Sequence, residues 1–161
     1  VLIMSEDGDW AVIQQGMNTD SRYARRYHWL SDKVKSFVEE PHNAILGKSG
    51  EVMDMTAKQS SDARDTTVDL VRDNPRHLRR DWELLKKPLC QTTLDGWKVP
   101  KNPYLEMPRR INWNVMKGLY EFQPKNYEEI LSTKGVGPAT VRALAFISEL
   151  IYGSPRHGKT R

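Results

Sequence analysis

Between Lys134 and Arg142 the chain carries a combination of residues suited to holding a phosphate group. Gly135 and Gly137 flank Val136, Pro138 follows, and Ala139, Thr140 and Arg142 open what reads as a helix. Pro is preset for the first helical turn, where its missing N–H costs nothing, and Gly precedes it as a cap. The amides that follow have no partner inside the helix and lie at the positive end of its dipole. A phosphate oxygen fits such a place. The two glycines permit the tight turn and keep side chains away from the backbone that would make the contact. Lys134 and Arg142 add charge. Contacts of this kind position a nucleic acid but carry no base information. Lys134, Gly135, Val136, Gly137, Ala139, Thr140 and Arg142 are therefore expected to grip a DNA backbone with low sequence specificity. Two other uses of a Gly-x-Gly-Pro turn stay open, a plain joint between packed helices and a surface for another protein.

A second candidate site gathers Gln14, Gln15, Arg22, Arg25, Arg26 and His28, where polar ends of a strand meet three guanidinium groups with Tyr23, Tyr27 and Trp29 interleaved. Rings and arginines together suit stacking on bases, although a structural hydrogen-bond network explains the same residues. Arg76, Arg79, Arg80, Lys86 and Lys87 could extend a nucleic-acid footprint or form an ordinary solvated face. A metal-dependent nuclease would need carboxylates and a Lys converging near a hairpin. Asp7, Asp9, Gln14, Gln15, His28, Glu39, Glu40 and His42 are the available groups, but no Lys follows the Gln14-Gln15 strand at the required spacing. No catalytic residue is assigned, and a nuclease whose site lies here or in a missing N-terminal part is the alternative. The four histidines show no paired metal spacing, so neither metal nor cofactor is expected.

These side chains need elements to position them. Residues 1–4 and 10–15 read as a β-hairpin, because Asp7-Gly8 supplies the positive φ that its turn requires. From Ser21, the recurrence of Tyr23, Tyr27, Leu30, Val34 and Phe37 predicts an amphipathic helix. Residues 44–46 and 52–55 are expected to form a second hairpin around Gly47-Lys48-Ser49-Gly50. A helix with Ala63, Thr67, Leu70 and Val71 on one face follows, then another begun by Asn74-Pro75 with Leu78, Trp82 and Leu85 inward. Prolines make 88–110 a connector. Val115, Met116, Leu119 and Phe122 mark a further helix. Asn126, with Glu129 three residues on, starts the helix that leads into the glycine turn, and the last helix closes at Gly153. The fold class is α+β: a body at 1–87, the connector, a helical region at 111–153 and a flexible basic tail at 154–161.

The run from Ile130 to Val141, Ile-Leu-Ser-Thr-Lys-Gly-Val-Gly-Pro-Ala-Thr-Val, resembles the helix-hairpin-helix motif of DNA repair glycosylases, structure-specific nucleases and recombination proteins. The resemblance implies backbone binding in repair, recombination or replication. A glycosylase is disfavoured, because no Asp or Glu follows Glu149 and the second helix has no Lys before Lys159. Trp10-Ala11-Val12-Ile13-Gln14-Gln15-Gly16-Met17-Asn18, Ala24-Arg25-Arg26-Tyr27-His28-Trp29-Leu30, Glu40-Pro41-His42 and Gly135-Val136-Gly137-Pro138 look like the archaeal and bacterial domain-of-unknown-function family 763. That likeness implies the C-terminal part of a longer, prokaryotic protein and supplies no catalytic residue.

Composition bounds the rest. With 25 Lys and Arg against 21 Asp and Glu the net charge is only +4, so an anionic partner rests on local clusters rather than on the whole. The single Cys90 excludes an internal disulfide and a Cys-rich zinc site. No apolar run approaches a membrane span, so no membrane partner is expected and the cytoplasm is the expected location. Oligomeric state is not legible.

Overall fold

The computed structural model describes residues 1–18, 22–48, 50–86 and 107–159. It is a mixed α+β fold. The first strands are β1 (Leu2–Met4) and β2 (Trp10–Asn18), joined by a turn in which Ser5 donates to Asp9 and Gly8 takes φ +91°. The expected first hairpin is therefore present.

The predicted helix from Ser21 is not. Tyr23–Leu30 forms β3, paired antiparallel with β2 from Ala11 opposite Leu30 to Asn18 opposite Tyr23. Residues four apart share a face in a strand as well as in a helix, so the Tyr23 and Tyr27 spacing fits both periods. Aromatic side chains suit a pleated surface, and the open edge of β2 supplies the ladder that decides between them. Tyr27 and Trp29 share the face that carries Val12 and Gln14, while Arg26 and His28 lie on the other.

The second hairpin also differs from expectation. Ala44–Leu46 is β4, but it pairs with β3, giving the sheet order β1-β2-β3-β4. Glu51–Asp54 is β5, and its partner is β6 (His157–Lys159) from the far end of the chain. The basic tail, expected to be flexible, is thus tied down as far as Lys159. Arg156 also pairs with Glu149 at 2.6 Å and lies 4.8 Å from the centre of the Phe146 ring, and the His157 amide donates to Ser60 Oγ at 2.9 Å.

Among the described residues five α-helices follow: α1 (Ser61–Arg72), α2 (Pro75–Lys86), α3 (Trp113–Phe122), α4 (Tyr127–Ser132) and α5 (Pro138–Leu150). Their positions agree with the apolar periodicity. Ala63, Leu70, Leu78, Trp82, Met116, Leu119, Ile130, Leu144 and Ile147 meet in one core, each large aliphatic contributing about 1.5–3 kcal/mol by leaving water. α1 touches all four other helices, so the core draws on both sides of the expected connector. That connector lies outside the described residues except for its last positions, where Pro108 is buried.

One buried charge organises the junction of strands and helices. Arg64 on α1 is 5% exposed. Its Nη1 donates to the carbonyls of Met55 and Ala57 at 2.9 and 2.8 Å, and its Nη2 pairs with Glu39. The sequence reading gave Arg64 no role.

Tyr127, at the start of α4, packs in the core, and burial pushes its phenol up to about 12 from an ordinary 10.0, partly opposed by the Arg64 guanidinium. The neutral form is favoured when folded, so this contribution is complete below the unfolded value near pH 10 and is lost as pH rises to about 12. Two units correspond to about 3 kcal/mol. Denaturant melts between pH 9 and 12 are expected to show a steep alkaline loss that Tyr127→Phe flattens; an unchanged slope in the variant would remove Tyr127 as its source.

Candidate nucleic-acid interface

The glycine turn is held at both ends. Asn126 caps α4, its Oδ1 accepting the Glu129 amide at 2.9 Å, while Glu129 Oε2 reaches back to the Lys125 amide at 2.7 Å. The expected reciprocal cap is present, shifted by one residue at its return contact. α4 ends at Ser132, the Val136 amide donates to the Thr133 carbonyl at 3.1 Å, and α5 starts at Pro138. Residues 133–137 therefore form a short turn between two helices.

The two glycines have different reasons to be there. Gly135 has φ +95°, a region that side chains rarely adopt, and a Cβ would come within 2.7 Å of Val115 Cγ2 on α3. Fold and packing both require it. Gly137 has φ −132° and ψ −179°, extended backbone open to any residue and favoured before Pro138. A Cβ there would meet nothing within 4 Å. Neither conformation nor packing asks for glycine at that position.

Beyond Gly137, no side chain caps α5. The Val141 amide bonds to the Gly137 carbonyl, and the amides of Ala139 and Thr140 have no acceptor among the described residues. Lys134 is exposed and Val136 is half-buried. Two residues serve differently from expectation. Thr140 is 4% exposed, so its side chain is withdrawn from any ligand at the surface. Arg142 is half-buried and lines a cavity with Pro138 and Val141.

Residues 1–159 match the family described as Protein of unknown function (DUF763). The chain belongs to that family. The match takes in nearly the whole chain, so the expectation of a C-terminal part alone is slightly off. No curated protein and no solved structure matches. Of the stretches that carried the resemblance in this DUF763 chain, residues 10–18 are β2, residues 24–30 lie in β3, residues 135–137 lie in the turn and Pro138 opens α5.

The second candidate site is divided between the two faces of the sheet. Gln15 and Arg26 meet, with Arg26 Nε donating to Gln15 Oε1 at 3.2 Å, and His28 shares their face. Arg25 and Gln14 lie on the opposite face. Arg22 precedes β3 with φ 57°. Arg25 is fixed by a 2.6 Å hydrogen bond to the Lys48 carbonyl and by close packing on Gly47. Together with Arg142 it lines the cavity already mentioned, which holds about 440 Å³ between the sheet, β5 and the start of α5.

The acidic groups do not converge. Asp9 accepts from Ser31 Oγ at 3.1 Å within the turn region, and Glu39 is engaged by Arg64. Among the described residues no three His, Cys, Asp or Glu side chains are placed to hold a metal ion. On α2, Arg79 lies over Trp113, Lys86 over Trp82, and Arg80 beside Asp81, so part of its basic character is spent within the fold. No helix among the described residues is long and apolar enough to cross a membrane.

Beside Tyr27 and Trp29, which the sequence groups with Arg25, the fold adds His42 and Arg142, which it does not. Tyr27, Trp29 and His42 form an aromatic cluster, with His42 5.1 Å from Tyr27 and 4.7 Å from Trp29 between ring centres. The signal was present in Tyr27 and Trp29 as alternate residues, but it becomes readable only once β3 is known to be a strand.

Proposed function

We propose that this chain binds DNA through its phosphate backbone, with low sequence specificity, using residues 134–140 as a helix-hairpin-helix, and that it serves DNA repair, recombination or replication in the cytoplasm. The observation that carries this reading is Gly137, a glycine that backbone geometry and packing leave unexplained and that close approach of a phosphate to the α5 amides explains. Lys134 supplies an exposed charge beside it. Main-chain amides recognise phosphate oxygens and not base edges, so affinity depends on salt and hardly on sequence.

Fluorescence anisotropy of a labelled duplex across a salt series tests this. With about four phosphates neutralised, the log–log slope is expected near −3 to −4 and to be the same for unrelated sequences. No binding at low salt, or binding with no salt dependence, would overturn the reading.

A further inference from the structure

The cavity beside the start of α5 has no part in gripping a continuous backbone, yet Pro138, Val141 and Arg142 of α5's first turns form one of its walls. Its opposite wall is the sheet face bearing Arg25, Tyr27 and Ile45, with His42 against Tyr27 and with Val52 to Thr56 closing the side. At about 440 Å³ it falls within the range of small-molecule sites. Arg25 and Arg142 line it together with one acidic residue, Asp54, whose Oδ1 accepts from the Thr56 hydroxyl at 2.7 Å. The remainder is largely apolar. Aromatic rings, an apolar floor and paired arginines are what an unpaired nucleotide requires: a π-face for its base and cations for its phosphate.

Resting on the backbone-binding reading, we infer that this cavity accepts the first unpaired nucleotide of a DNA strand whose neighbouring phosphate lies on the α5 amides. The preferred substrate is then a duplex carrying a single-stranded end, recognised by shape. Base identity matters little, because stacking on Tyr27 is available to every base. Arg25, held by the Lys48 carbonyl and by Gly47, is already oriented before the strand arrives.

The test uses the whole chain and two labelled duplexes of equal length, one blunt and one with a four-nucleotide overhang whose first unpaired base is 2-aminopurine. The overhang duplex is expected to bind about tenfold more tightly, the gain of one stacked base, with 2-aminopurine emission quenched at saturation. Ile45→Trp, which fills the cavity from β4 without changing charge, is expected to abolish both the gain and the quenching while blunt-duplex affinity stays put. The quenching with unaltered protein stands as a result even if that variant fails to fold. Equal affinities with no quenching would overturn the nucleotide site and leave the backbone reading intact, and no binding to either duplex would overturn both.

Discussion

Gly137→Asp is expected to weaken duplex binding by about 30-fold while leaving the melting temperature unchanged or slightly raised. The two halves of that result have separate causes. Position 137 is the cap of α5, extended and with open space where the new side chain would go. Asp is at least as good a helix cap as Gly, and a carboxylate there satisfies the Ala139 or Thr140 amide and complements the dipole. The fold is not harmed. The same carboxylate occupies the place where a phosphate oxygen would lie, so charge-assisted bonds worth about 1.5–3 kcal/mol are lost and a like charge replaces them. A loss of about 2 kcal/mol is the stated factor of 30. Anisotropy titrations paired with thermal melts check both halves. A variant that binds as tightly as the parent would remove residues 134–140 from the interface, whatever the rest of the chain does.

The largest expected effect on stability belongs to Arg64→Ala, about 3 kcal/mol of destabilisation. Removing the guanidinium strands the carbonyls of Met55 and Ala57 and leaves Glu39 without its cation. Breaking a buried pair from one side costs about 3–5 kcal/mol. The lower end applies here, because the Glu39 side chain is 37% exposed and water recovers part of its solvation. For a chain of this size the melting temperature is expected to fall by about 6–12 °C. Glu39→Gln, which keeps both carbonyl bonds, is expected to cost much less. Thermal and denaturant melts of the two variants separate the carbonyl anchor from the ion pair. Similar losses in both would mean that the ion pair, not the anchor, dominates.

The helices were legible in the sequence, because all carry an apolar stripe of period 3.6 and three of them a local start signal as well. Pro75, Asn126 and Pro138 mark starts, and Leu70, Leu119, Ile130 and Leu144 supply the stripes. β1, β2, β4 and β5 were legible as strands, but their partners only where a local turn closed them, as Asp7-Gly8 does for β1 and β2. β3 was taken for a helix because Tyr23 and Tyr27 satisfy either period, and its pairing with β2 is a contact between distant residues that no local signal encodes. The partner of β5 lies about a hundred positions away, in a tail whose composition suggested a flexible basic end. The glycine turn could be read directly, since Gly135 and Pro138 constrain their own backbone. The cavity could not, because Arg25, His42 and Arg142 come from three separate parts of the chain and meet only through the sheet. Arg64 was invisible for the same reason: an arginine among polar neighbours on a helix reads as surface until the loop that buries it is known.

The pairing of β5 with β6 brings the start and the finish of the helical segment to the same spot. All five helices are thereby enclosed in one long loop, fastened by a short clasp of strand, and forming that clasp requires residues at opposite ends of the segment to find each other. Such a non-local closure comes at an entropic cost that only a nearly assembled helical core can offset. The clasp is therefore expected to form late in folding, and it makes His157–Lys159 part of the scaffold around the start of α5.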